Sequence, residues 1–163
     1  MEFEEYVAAR GQHLLRLAML LADDAHAAED LVQTALLDAY RHWRRVRKAG
    51  APDAYVRRIL VNAALASRRR RSSTELVVAE VRPVASVPDH AEATVAQDAA
   101  WRAIAALPPR SRAVLALRYF EDLDDEAVAD ALGITRSTVR STAARALASL
   151  RSQVTAPLPG GER

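Results

Sequence analysis

The sequence predicts an all-α protein built as two small helical domains joined by a flexible linker, the second carrying a helix-turn-helix. Three observations lead there. Apolar residues recur at steps of three and four along most of the chain. Alanine, leucine and arginine are abundant, whereas there are 5 glycines and aromatic residues make up 5% of 163 positions, a balance that favours helix over sheet. One proline-bearing stretch without a period, residues 72–93, divides the chain.

The first helix follows from Phe3, Tyr6, Val7, Leu14, Leu17, Ala18 and Leu21, which share one face. Asp23-Asp24 then offers an N-cap and a favourable first-turn charge to a second helix. Leu31, Val32, Ala35, Leu36, Ala39, Tyr40 and Trp43 form its buried stripe, and it is expected to end near Arg47. Ala49-Gly50-Ala51-Pro52 breaks the pattern, and Pro52 with Asp53 just inside opens a third helix running to about Arg70. The first domain is therefore placed at 1–71 and the linker at 72–93.

The second domain is placed at 94–156. Val95 to Leu107 reads as a helix with Trp101, Ile104 and Leu107 inward, stopped by Pro108-Pro109. Ser111 to Phe120 resumes the period through Val114, Leu115 and Leu117, and two shorter helices follow. The tail 157–163, rich in proline and glycine, is expected to fray.

Asp124 to Arg145 carries a helix-turn-helix pattern. Asp124 can cap a short helix, Gly133 supplies a left-handed residue after Leu132, and Thr135 caps the next helix. Val128, Leu132, Ile134, Val139 and Leu147 fall on a shared core side. Arg136, Ser137, Arg140, Ser141 and Ala144 fall opposite, with no carboxylate among them. From Arg136 to Arg151 there are four arginines and no acid, as suits an element lying among phosphates in a major groove. Arginine can also pair bidentately with guanine.

A net charge of +2 hides segregation: residues 1–40 hold two arginines against eight carboxylates, and residues 41–71 hold eleven Lys/Arg against Asp53. Arg41, Arg44, Arg45, Arg47, Lys48, Arg57, Arg58 and Arg68 to Arg71 thus form a polyanion-binding stretch. Trp43 and Tyr55 lie within it, where aromatics beside cations can stack single-stranded bases. Both also lie on apolar stripes, and the core reading is the stronger for them.

Together these pieces resemble the extracytoplasmic-function (group IV) sigma factors of the sigma-70 family, in particular the actinobacterial sigma-E-like branch, from about Phe3 to Arg151. Ala28-Glu29-Asp30-Leu31-Val32-Gln33 is similar to the family's core-binding signature. Ala54-Tyr55-Val56-Arg57-Arg58-Ile59-Leu60-Val61-Asn62 is similar to the helix that melts and reads the minus-ten element. Ala106-Leu107-Pro108-Pro109 through Leu123, continuing into the helix-turn-helix, resembles the minus-thirty-five reader.

The resemblance implies contact with core RNA polymerase, through its β′ and β subunits, at Asp30, Gln33 and Leu37. It implies minus-ten contacts from Lys48, Arg57, Arg58, Asn62, Arg68 and Arg69, and minus-thirty-five contacts from Arg136, Ser137, Arg140, Ser141 and Arg145. Promoter DNA and an anti-sigma factor are the further partners it suggests. Thr34, Leu36 and Thr142 stand where the family often has glutamate, phenylalanine and a long polar residue.

The rival is a stand-alone helix-turn-helix regulator, which leaves the basic first domain without a purpose. An enzyme could use Glu121, Asp122, Asp124, Asp125 and Glu126 to hold magnesium, but acids at a helix start are better explained by its dipole. His13, His26, His42 and His90 have no metal-ligand spacing on one helix and are expected at the surface. No catalytic residue, metal or cofactor is expected. With no cysteine, an acidic N-terminus and no apolar run of membrane-spanning length, the chain reads as cytoplasmic and free of the membrane.

Overall fold

The computed structural model describes residues 1–74 and 95–155, which form eight α-helices and one π-helical stretch, with no strand among them. The linker residues 75–93, the tail 157–163 and His90 lie outside the described residues.

Helix α1 (Phe3–Leu21) opens with a capping box in which Glu2 and Glu5 satisfy each other's orphan backbone donors. Helix α2 (Ala25–Arg41) is capped by Asp24, whose side chain accepts from the Ala27 amide at 2.7 Å. It ends at Arg41 rather than near Arg47. His42 takes a non-helical conformation and its Nδ1 lies 3.0 Å from the Asp38 carbonyl, before a short α3 (Trp43–Lys48) resumes. The break lets Trp43 pack edge-on against Phe3 at 5.3 Å and beside Tyr6 at 5.2 Å. Trp43 is thus a core residue.

Helix α4 (Pro52–Thr74) starts where Pro52 predicts and runs past the expected end near Arg70. Tyr55 packs partly buried against the core and donates to Asp38 Oδ2 at 3.1 Å. Burial and that bond raise its pKa.

In the second half, α5 (Val95–Ala105) is followed by α6 (Pro109–Leu115), with Pro109 at the first helical position. A π-helical stretch, Ala116–Phe120, widens the last turn, and the Glu121 amide bonds back to the Ala116 carbonyl. Asp122 then takes φ +53, a left-handed position that aspartate tolerates. Helices α7 (Asp125–Leu132) and α8 (Arg136–Thr155) complete the fold.

The two halves share one hydrophobic core. A single cluster includes Tyr6, Leu17, Leu60 and Val61 from the first half and Val114, Leu117, Val128 and Val139 from the second. The contacts run mainly from α4 to α7 and from α1 to α6 and the π-helical stretch.

Candidate nucleic-acid interface

The helix-turn-helix forms as its residues require. Asp124 accepts from the Ala127 amide at 2.8 Å, and Gly133 adopts φ +65 at the C-terminus of α7. Thr135 Oγ1 accepts from the Thr138 amide at 3.2 Å, starting α8. Val128 and Val139 are fully buried, while Leu132, Ile134 and Leu147 are half-buried. Arg136, Ser137, Arg140, Ser141, Ala144 and Arg145 are all exposed on α8.

Two details lie beyond the local pattern. Asp125 of α7 brings a carboxylate to within 3.9 Å of Arg140 and 3.4 Å of Arg118, so the exposed face of α8 has an acid at its edge. Thr142 points into the core, 5% exposed, which leaves no room for a long polar side chain.

In the first half, Asp30, Gln33 and Leu37 are exposed together along α2, at steps of three and four. Leu37 is 52% exposed, and Tyr40 continues the strip. His26 approaches Asp30 at 3.8 Å.

The predicted minus-ten residues divide into two sets. Lys48, Arg58, Asn62 and Arg69 are exposed. Arg57 and Arg68 are only partly exposed and lie on carboxylates. Arg57 Nε donates to Glu121 Oε2 at 2.8 Å, and Arg68 Nη2 lies 2.6 Å from Asp23 Oδ1. Of the three runs of cations, α3 and the end of α4 keep Arg44, Arg45, Arg47, Lys48, Arg69 and Arg70 at the surface.

Sequence reasoning missed the residues that join the halves. Asp23, read as half of a capping pair, gathers Arg68, Arg71 and Arg112 instead. Arg112 is buried, and its Nε finds no hydrogen-bond partner among the described residues. His13 is no ordinary surface residue, because its ring stacks on Phe120 and its Nε2 meets Glu121 Oε1 at 2.5 Å. No local signal reveals such pairs, since their partners lie in different helices.

Of the five acids from Glu121 to Glu126, three are separately engaged: Glu121 on Arg57 and His13, Asp124 on a helix cap, Asp125 on Arg118. No helix of the described residues is long and apolar enough to cross a membrane.

Known proteins match this arrangement piece by piece. Residues 6–74 match the family model for sigma-70 region 2, and residues 97–150 match the model for sigma-70 region 4. The RNA polymerase sigma-E factor of Streptomyces avermitilis is 40% identical over 94% of this chain and 86% of its own. The extracytoplasmic-function sigma factor SigM of Mycobacterium tuberculosis is 32% identical, over 91% of this chain and 74% of that protein. Among solved structures, the sigma factor RpoE of Bartonella quintana, in complex with the anti-sigma factor NepR, superposes with a TM-score of 0.76 over 96% of this chain and 98% of that one. At 21% identity that likeness speaks for the fold. With both halves matched in order, and with relatives aligned over most of their length, the chain belongs to the sigma-70 family of RNA polymerase sigma factors, in its extracytoplasmic-function group.

Proposed function

We propose that this sigma factor binds core RNA polymerase, through the β′ and β subunits, and directs initiation at promoters it reads at two elements. The observation that carries the reading is the strip Asp30, Gln33 and Leu37. It combines a carboxylate, an amide and a bare leucine on one exposed helix face, the mixture of anchor and polar rim that a protein interface uses.

Residues 1–71 supply that contact and the minus-ten surface, made of Lys48, Arg57, Arg58, Asn62, Arg68 and Arg69. Residues 94–156 supply the minus-thirty-five surface, made of Arg136, Ser137, Arg140, Ser141 and Arg145, whose arginines suit phosphate and guanine alike. The protein works in the cytoplasm, performs no chemistry of its own and needs no cofactor. An anti-sigma factor is its natural regulator, by analogy with the RpoE complex.

The test is transcription in vitro by purified core polymerase with and without this protein, the transcript ends being sequenced. Defined starts that depend on the protein, preceded by two shared sequence elements, are expected. Duplex binding with no association with core enzyme would instead favour a stand-alone helix-turn-helix regulator.

A further inference from the structure

Two carboxylates occupy arginines that the minus-ten surface would need, and both do so at the junction of the two halves. Glu121 follows the π-helical stretch and has a side chain only 4% exposed. It belongs to the second half, yet both partners of its carboxylate come from the first: Arg57 Nε on Oε2 and His13 Nε2 on Oε1. The stacking of His13 on Phe120, with ring centroids 4.9 Å apart and planes at 16°, closes the same junction. On another side, Asp23 of the first half meets Arg112 of α6 at 3.5 Å while also holding Arg68 and Arg71 of α4.

A guanidinium recognises a carboxylate and a phosphate through the same planar set of donors. Arg57 therefore cannot give that set to Glu121 and to a DNA phosphate at once. Nor can Arg57 leave while the halves stay packed, because a carboxylate so deeply buried would lose a partner without gaining water. Arg57 becomes available when the second half moves off α1 and α4 and Glu121 reaches solvent.

We propose that Glu121 is a clasp that stands in for a DNA phosphate at Arg57, so that closure of the two halves and binding of single-stranded DNA by α4 exclude one another. Asp23 reinforces it by drawing Arg68 and Arg112 onto one carboxylate. The inference rests on the reading of α4 as the strand-melting face. Coupling of this kind is reciprocal: DNA opens the protein by as much as closure weakens DNA.

The chain lacks cysteine, so Ala9→Cys and Gln153→Cys, both exposed, accept a donor and an acceptor dye on the full-length protein. Energy transfer should report a mainly closed population at low salt, and a single-stranded DNA oligonucleotide of random sequence should shift it open. Glu121→Gln should raise the ratio of open to closed protein about tenfold, the scale of one charge-assisted hydrogen bond. It should tighten the oligonucleotide in proportion. Arg57→Gln should open the protein equally and gain no affinity, because it removes the phosphate ligand together with the clasp. Asp23→Asn, a second route to the open form, should act in the same direction as Glu121→Gln. Circular dichroism checks that each variant is folded. Unchanged transfer in both carboxylate variants would overturn the clasp, and opening without tighter DNA binding would overturn the exclusion. Wild-type transcription in vitro reports on the sigma-factor reading separately, so failure of one does not imply failure of the other.

Discussion

The Tyr6 hydroxyl donates to Asp53 Oδ1 at 3.0 Å, joining the start of α1 to the first turn of α4, and Arg10 Nε reaches the same oxygen at 3.0 Å. Tyr6 is almost wholly buried. Desolvation, helped by the Asp53 carboxylate, pushes its pKa far above the ordinary tyrosine value. The folded state therefore holds this proton more tightly than the unfolded chain does. The stabilisation is complete below about pH 10 and declines as pH rises beyond it. Tyr6→Phe should cost about 1 to 2 kcal/mol at neutral pH and flatten the alkaline decline. Urea unfolding at neutral pH and at about pH 11 checks this, and equal alkaline slopes for both proteins would refute it.

Asp30→Arg and Leu37→Ala alter exposed positions of α2, so stability should change by no more than about 0.5 kcal/mol. Affinity for core polymerase should fall about tenfold or more if these positions lie near the centre of the contact. Co-elution with core enzyme on a sizing column measures it. An Asp30→Arg protein that co-elutes unchanged rejects the assignment.

Arg140→Ala should cost about 1 to 3 kcal/mol on the minus-thirty-five duplex and relax specificity at one base pair, as expected for an arginine bidentate to guanine. Arg58→Ala and Asn62→Ala should leave that duplex affinity intact while reducing the open bubble seen by permanganate footprinting. Normal opening by both variants would remove the melting role from α4.

Thr142 and Gly133 test the helix-turn-helix from the inside. Thr142→Arg should destabilise by about 2 kcal/mol or more, because the new guanidinium has no solvent or partner in the core. Gly133→Ala should cost about 1 kcal/mol through its left-handed backbone, since nothing crowds the added Cβ. Thermal melts decide both. A Thr142→Arg protein as stable as wild type would place that residue outside the core.

Local pattern alone was enough for most of the helices, their caps at Asp24, Asp124 and Thr135, the proline start at Pro52 and the exposed face of α8, whereas Pro109, read as part of a helix stop with the next helix opening at Ser111, itself begins α6. The features read correctly each depend on residues within a turn or two of one another, where period and cap chemistry act. Domain order and family membership were legible for the same reason, being carried by contiguous motifs. The break at His42 was not, because a helical stripe continues through Trp43 and only the aromatic contacts with Phe3 and Tyr6 favour the kink. The burial of Thr142 was not legible either, because a residue's face depends on which neighbours cover the helix. Arg57 looked like any cation of a basic stretch, and Glu121 like any acid before a helix. They meet 64 positions apart in sequence, where burial, charge and shape act through space. Only the packing of α1 and α4 against the second half could decide that the most buried carboxylate of the junction would hold an arginine predicted for DNA.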